Sequence, residues 1–156
     1  AVDKLALKID ALDMFLPTYG YSKDGAWPHI EIEGKILHYV VIERGEELRR
    51  DRTTELDQLL YWVFADATFS MAVRYELAHR EEPKDCRRIM FAHQEKLLGL
   101  LNDKWREKSV LNHQNILEKY PYDDLAGLRA SYFGKLRCEG HNEDEIKRLV
   151  YEKYPE

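Results

Sequence analysis

From Asp51 to His79 the chain carries a helical repeat of apolar residues that leaves almost no face polar. Leu56, Leu59, Leu60, Val63, Phe64, Ala67, Met71, Tyr75 and Ala78 recur at spacings of three and four, and Trp62, Phe69 and Val73 lie on other faces of the same helix. A helix apolar nearly all round has to be covered on several sides, so the rest of the chain must pack around it. Thr53 or Thr54 can cap its start. Pro83 ends the following connection and Asp85 can open a second helical pattern, which runs from Cys86 to about Tyr120 through Ile89, Ala92, Leu97, Leu100, Leu101, Trp105, Leu111 and Leu117. Two long helices joined by a short link form an antiparallel pair.

The chain before this pair reads differently. Leu5, Ile9, Leu12 and Leu16 give a short helix over residues 2–15, stopped by Pro17 and Gly20. Thr18 to Pro28 reads as a loop holding Tyr19, Tyr21 and Trp27. His29 to Glu33 alternates polar and apolar, Gly34-Lys35 turns, and Ile36 to Glu43 is rich in β-branched and aromatic residues, which together predict a β-hairpin with Glu31 and Glu33 on one face. After Pro121, Asp123 can cap a weaker helix to Leu136, and Asn142 with Glu145 three residues on opens a last helix ending near Tyr154. The expectation is one α+β, mostly α domain over 1–156. It has an N-terminal portion (1–45) with helix, loop and hairpin, a helical core (51–120) and smaller C-terminal helices (121–156).

Charge and composition narrow the function. No apolar run approaches the ~18 residues of a membrane span. The formal net charge of -5 lacks the clustered surplus of Lys and Arg that non-specific nucleic-acid binding needs. Cys86 and Cys138 form neither a metal motif nor a disulfide framework, which fits reduced thiols and a cytoplasmic setting. Glu76 and His79 have the spacing of half a di-iron carboxylate site, but no other histidine has a Glu three residues before it, so no metal and no cofactor are expected. Asp66 lies amid Trp62, Val63, Ala67, Phe69 and Met71, where an unpaired carboxylate is costly to bury. It is expected to pair with Arg52, Arg74, Arg87 or Arg88. Arg80, with Asp66, Glu76, Arg87 and Arg88, is expected to be a structural polar residue. Arg87 and Arg88 read first as partners for Glu76, Glu81 or Glu82. A small enzyme or ligand-binding protein built on Asp66, Glu76, His79 and nearby arginines, or a helical adaptor, are the alternatives, but no catalytic constellation stands out.

The strings Leu16-Pro17-Thr18-Tyr19-Gly20-Tyr21-Ser22, Pro28-His29-Ile30-Glu31 and His38 to Gly45 resemble the opening of the bacterial immunity protein family numbered 63. Leu59 to Phe64, Thr68 to Ala72 and Tyr75 to Arg80 resemble its central helix, and Asp85 to Arg88, Phe91 and Gln94 to Leu98 the helix after it. The resemblance covers roughly residues 16–125. It implies a protein of a polymorphic toxin system that binds and neutralises a cognate toxin, with no catalytic residue to transfer. Large aromatics are frequent interface anchors. The expected contact surface is therefore Tyr19, Tyr21, Asp24 and Trp27 of the loop with Glu31, Glu33 and Glu43 of the hairpin, and the acidic stretch Glu139 to Glu145 is the next candidate. The competing reading is that the loop aromatics only pin the loop to the core.

Overall fold

In chain order, the computed structural model, which describes residues 1–155, contains helix α1 (Val2–Ala6), strands β1 (Thr18–Tyr19), β2 (Trp27–Glu33), β3 (Ile36–Glu43) and β4 (Glu46–Thr53), and helices α2 (Leu56–Ala78), α3 (Arg87–Leu101), α4 (Asp103–Lys119), α5 (Ala126–Cys138) and α6 (Glu143–Lys153). The fold is α+β and mostly helical, with the sheet preceding the long helices.

Helix α2 is central, as its apolar repeat requires. Leu59, Leu60, Val63 and Phe64 form one buried cluster with Ile30 and Tyr39 of the sheet, Leu97 and Leu98 of α3, Trp105 of α4, and Val2, Ala6 and Ile9 of the N-terminal segment. The sheet packs on one side of α2 and α3 on another. The remaining side stays open, and Phe69 and Tyr75 are 45% and 38% exposed there. The expected start moves forward: residues 51–53 belong to β4, and Thr53 Oγ1 accepts from the Glu55 amide instead of capping α2.

Three further expectations are corrected. The hairpin is part of a four-stranded sheet of order β1-β2-β3-β4, with β1 parallel to β2 and the other pairs antiparallel. Strand β4, Glu46-Glu47-Leu48-Arg49-Arg50-Asp51-Arg52-Thr53, has no apolar alternation because both of its faces carry ion pairs; charge on an edge strand also discourages pairing with other chains. The pattern from Cys86 to Tyr120 is two helices, since Asn102 is extended (φ -164°, ψ 122°) and its side chain accepts from the Lys104 amide, capping α4. The N-terminal helix is broken where Asp10 takes a left-handed conformation (φ 53°), leaving Leu12 48% exposed.

Helices α5 and α6 build a small core of their own from Leu136, Ile146 and Val150, packed with Tyr132, Phe133 and Leu149. The Asn142 cap of α6 forms as the sequence suggests, its side chain accepting from the Glu145 amide at 3.0 Å. An ionic clasp joins this pair to the central helices. Asp85, just before α3, accepts from the guanidinium of Arg87 and from the amide of Asp123, and Asp124 accepts from Arg88 and from the amide of Asp85. The Arg87 guanidinium also donates to the carbonyls of Tyr120 and Pro121.

Candidate functional site

The loop between β1 and β2 has an unusual backbone. Asp24, Gly25 and Ala26 all have positive φ (58°, 63° and 59°), which a glycine tolerates and the other two residues adopt at a cost. The turn is held by the Ala26 amide donating to Ile42 O at 2.9 Å and by Asp24, whose carboxylate accepts from the Gly45 amide at 3.4 Å. It delivers Trp27 into a half-buried position, where the indole N–H donates to Leu16 O at 3.0 Å and the Lys23 ammonium lies 4.6 Å from the ring centroid. Trp27 thus pins the loop. Tyr19 and Tyr21 do not: they are 54% and 59% exposed. Partial burial, then the nearby Asp3 carboxylate, pushes the pKa of the Tyr19 hydroxyl above its ordinary value, so it stays protonated.

Glu31 and Glu33 share the face of the sheet opposite the side that packs on α2, as alternation requires, but their circumstances differ. Glu31 accepts from Arg50 at 2.6 Å and from His29 Nε2 at 3.0 Å, and those bonds, Arg50 first, hold its carboxyl below the usual carboxylate range. Arg50 is held on its other side by Glu47 at 2.8 Å. Under this lattice His29 and His38 are buried, and His29 Nδ1 and His38 Nε2 have no hydrogen-bond partner. Glu33 is held more loosely, its side chain 82% exposed and its Oε2 3.5 Å from His38 Nε2, while Glu43 is half-buried at the end of β3.

On the inner face of the sheet, Asp66 departs from expectation in both respects. It is half-exposed, its side chain 44% accessible, and its partner is Arg49, whose Nη1 donates to Oδ2 at 2.9 Å. The Tyr39 hydroxyl donates to the same oxygen at 2.8 Å. Burial, then Asp66, pushes the pKa of the Tyr39 hydroxyl far above its ordinary value, so it remains a donor. Arg49 also pairs with Asp51. Arg52, Arg74, Arg87 and Arg88 are not the partners of Asp66: Arg49 comes from β4, the strand that the sequence pattern hides.

Glu76 is buried and accepts from Arg80 through two parallel bonds of 2.8 and 2.9 Å, which hold its carboxyl below the usual range. His79 turns away to its own helix, with Nδ1 at 2.8 Å from Tyr75 O, and stacks on one face of the Tyr75 ring while His93 stacks on the other, at centroid distances of 3.9 and 3.8 Å. Among the described residues no three His, Cys, Asp or Glu side chains gather to hold a metal ion. Arg87 and Arg88 pair with Asp85 and Asp124 rather than with Glu76, Glu81 or Glu82. Among the described residues no helix is long and apolar enough to cross a membrane.

The structure places Trp27, the Asp24-Gly25-Ala26 turn and Glu43 at one end of the sheet, and Glu33 at the other end of β2, opposite Ile36, with Glu31 between them. It leaves Glu76, Arg80, Arg87 and Arg88 in structural ion pairs elsewhere. The residue that sequence reasoning missed is Arg49; its only signal is its place in a charged run beside Gly45. The protein is thus a small α+β protein with a structured aromatic and acidic loop. Residues 33–115, just over half of the chain, match the family model described as Immunity protein 63, and the chain belongs to that family. No curated protein and no solved structure matches it.

Proposed function

We propose that this protein binds a cognate bacterial toxin in the cytoplasm and neutralises it without catalysis. The observation that carries the reading is the family match, which spans all of β3, β4, α2 and α3 and the greater part of α4. Tyr19 and Tyr21, with more than half of their surface exposed, supply contact area with few rotatable bonds, and Asp24, Glu33 and Glu43 supply negative charge along the adjoining loop and hairpin. Trp27 and Glu31 act one step back: each is fastened internally and keeps the contact face in shape.

Calorimetric titration of the toxin domain encoded beside this gene tests the assignment of the surface. Tyr21→Ala with Glu33→Lys is expected to weaken binding by roughly 10-fold or more, since interface anchors truncated to Ala cost about 1–2 kcal/mol or more. Melting temperature is expected to stay the same, because neither side chain is packed. Unchanged affinity moves the contact surface away from this loop, with Glu139 to Glu145 next to be tested.

A further inference from the structure

Behind the strained turn lies a pocket of about 250 Å³ that none of the ion pairs above fills. Phe15, Trp27, Pro28 and Val41 give it apolar walls, and Asp66 and Ser70 of α2 stand at its polar end. Both bonds that Asp66 accepts go to Oδ2; Oδ1 receives none among the described residues. The ionised groups bonded together there are Asp51, Asp66 and Arg49, two negative charges against one positive. Tyr39 adds a donor but no charge. A carboxylate that is already paired and yet remains 44% exposed, at the end of an apolar slot, has a free oxygen and one uncompensated charge to offer. The Trp27 ring already holds a cation, the Lys23 ammonium at 4.6 Å, so the aromatic wall suits positive charge as well as hydrocarbon.

We propose that this pocket receives a lysine or arginine side chain of the toxin, its alkyl stem against Phe15, Trp27 and Val41 and its charged head on Asp66 Oδ1. The proposal rests on the toxin-binding reading above and names the anchor that reading lacks. Long basic side chains have the required shape, an apolar stem with a cationic tip. A charge pair formed in a slot partly closed to water is also the kind of contact that fixes register between partners. The turn Asp24-Gly25-Ala26 shapes one lip of the pocket, which links the exposed tyrosines to the anchor beneath them.

The test needs no toxin at first. n-Butylguanidinium and n-butylammonium are titrated into the intact protein while the indole N–H signal of Trp27 is followed by NMR, with Trp62 and Trp105 as internal references. A saturable shift confined to Trp27 is expected, with n-butanol binding at least about fivefold more weakly. Asp66→Asn keeps an acceptor for Tyr39 and leaves Arg49 with Asp51, so the fold is retained and cation affinity is expected to fall by a similar factor. Ser70→Met, at an exposed position of α2, fills the pocket with Asp66 intact and is expected to abolish the shift. No saturable shift, equal binding of butanol, or equal binding by Asp66→Asn overturns the pocket. With the toxin itself, affinity unchanged by Asp66→Asn overturns the anchor and leaves neutralisation standing. Cation binding without any toxin binding leaves the pocket and overturns the toxin as its occupant.

Discussion

Trp105→Ala is expected to lower stability by about 4 kcal/mol, in the range for truncating a large buried aromatic. For a chain of this size that is a fall in melting temperature of roughly 10 °C or more. Trp105 opens the first turn of α4, yet its ring lies against α2. It is 4% exposed, near-parallel to Phe64 at 6.1 Å between centroids, and tilted against Tyr61 at 6.4 Å. Its indole N–H points to Asp57 at 3.4 Å. It is the one residue of α4 in the main core cluster, so its loss removes the direct apolar link between α2 and α4 as well as leaving a void. Trp105→Phe keeps the stacking and forgoes only a long hydrogen bond, so it is expected to recover more than half of the loss. A thermal melt of Trp105→Ala within about 3 °C of the parent would show that α4 docks by other means.

Asp85→Asn is expected to be the most damaging polar substitution, at about 3 kcal/mol, because it leaves the Arg87 guanidinium facing a neutral amide in a site where the carboxylate is only 7% exposed. The carboxylate accepts from Arg87 Nε and Nη2 and from the amides of Arg87 and Asp123. Burial alone would raise its pKa; the bonds from Arg87 and from the two amides outweigh that and bring it down to about 2. The folded value thus lies below the unfolded one. The stabilisation is then fully present above about pH 4 and is lost as pH falls from about 4 through 2. From the size of the displacement it amounts to about 2 kcal/mol. Parent and Asp85→Asn stabilities are therefore expected to converge on acidification across that window and to differ by a constant amount between pH 5 and 8. A gap independent of pH down to 2 would mean that the charge of Asp85 is not what holds the clasp.

These two sites also show where sequence reasoning succeeds. The central helix was legible because its apolar residues obey one spacing over six turns, and burial of Leu59, Leu60, Val63 and Phe64 follows directly. Strand β4 was not, because a strand whose two faces are occupied by Arg49 with Asp51 and by Arg50 with Glu31 and Glu47 has no hydrophobic period to detect. Missing β4 hid the partner of Asp66, and with it the pocket. The break at Asn102 left a signal, an Asn followed by Asp103, that the continuous apolar spacing on either side outweighed. In the loop, residue type could not separate Tyr21, which is exposed, from Trp27, which is fastened by one hydrogen bond to Leu16 O.

The partition of the acids has the same origin. Alternation places Glu31 and Glu33 on one face, but only the cross-strand register shows that Arg50 of β4, opposite Val40, reaches Glu31, while Glu33, opposite Ile36, has only the His38 imidazole beside it. The exposed acids and tyrosines form the outer rim of the proposed contact surface. Trp27 and Glu31, each fastened internally, form the layer that supports it, and Asp66 lies at the polar end of the proposed pocket.

The most direct measurement is survival of sensitive cells expressing the toxin domain encoded beside this gene, with and without this protein, alongside sedimentation of the purified pair. The account predicts restored growth and a stable complex, with both weakened together by Tyr21→Ala combined with Asp66→Asn. Growth restored with no complex between the two proteins, or neither rescue nor complex, would contradict neutralisation by binding.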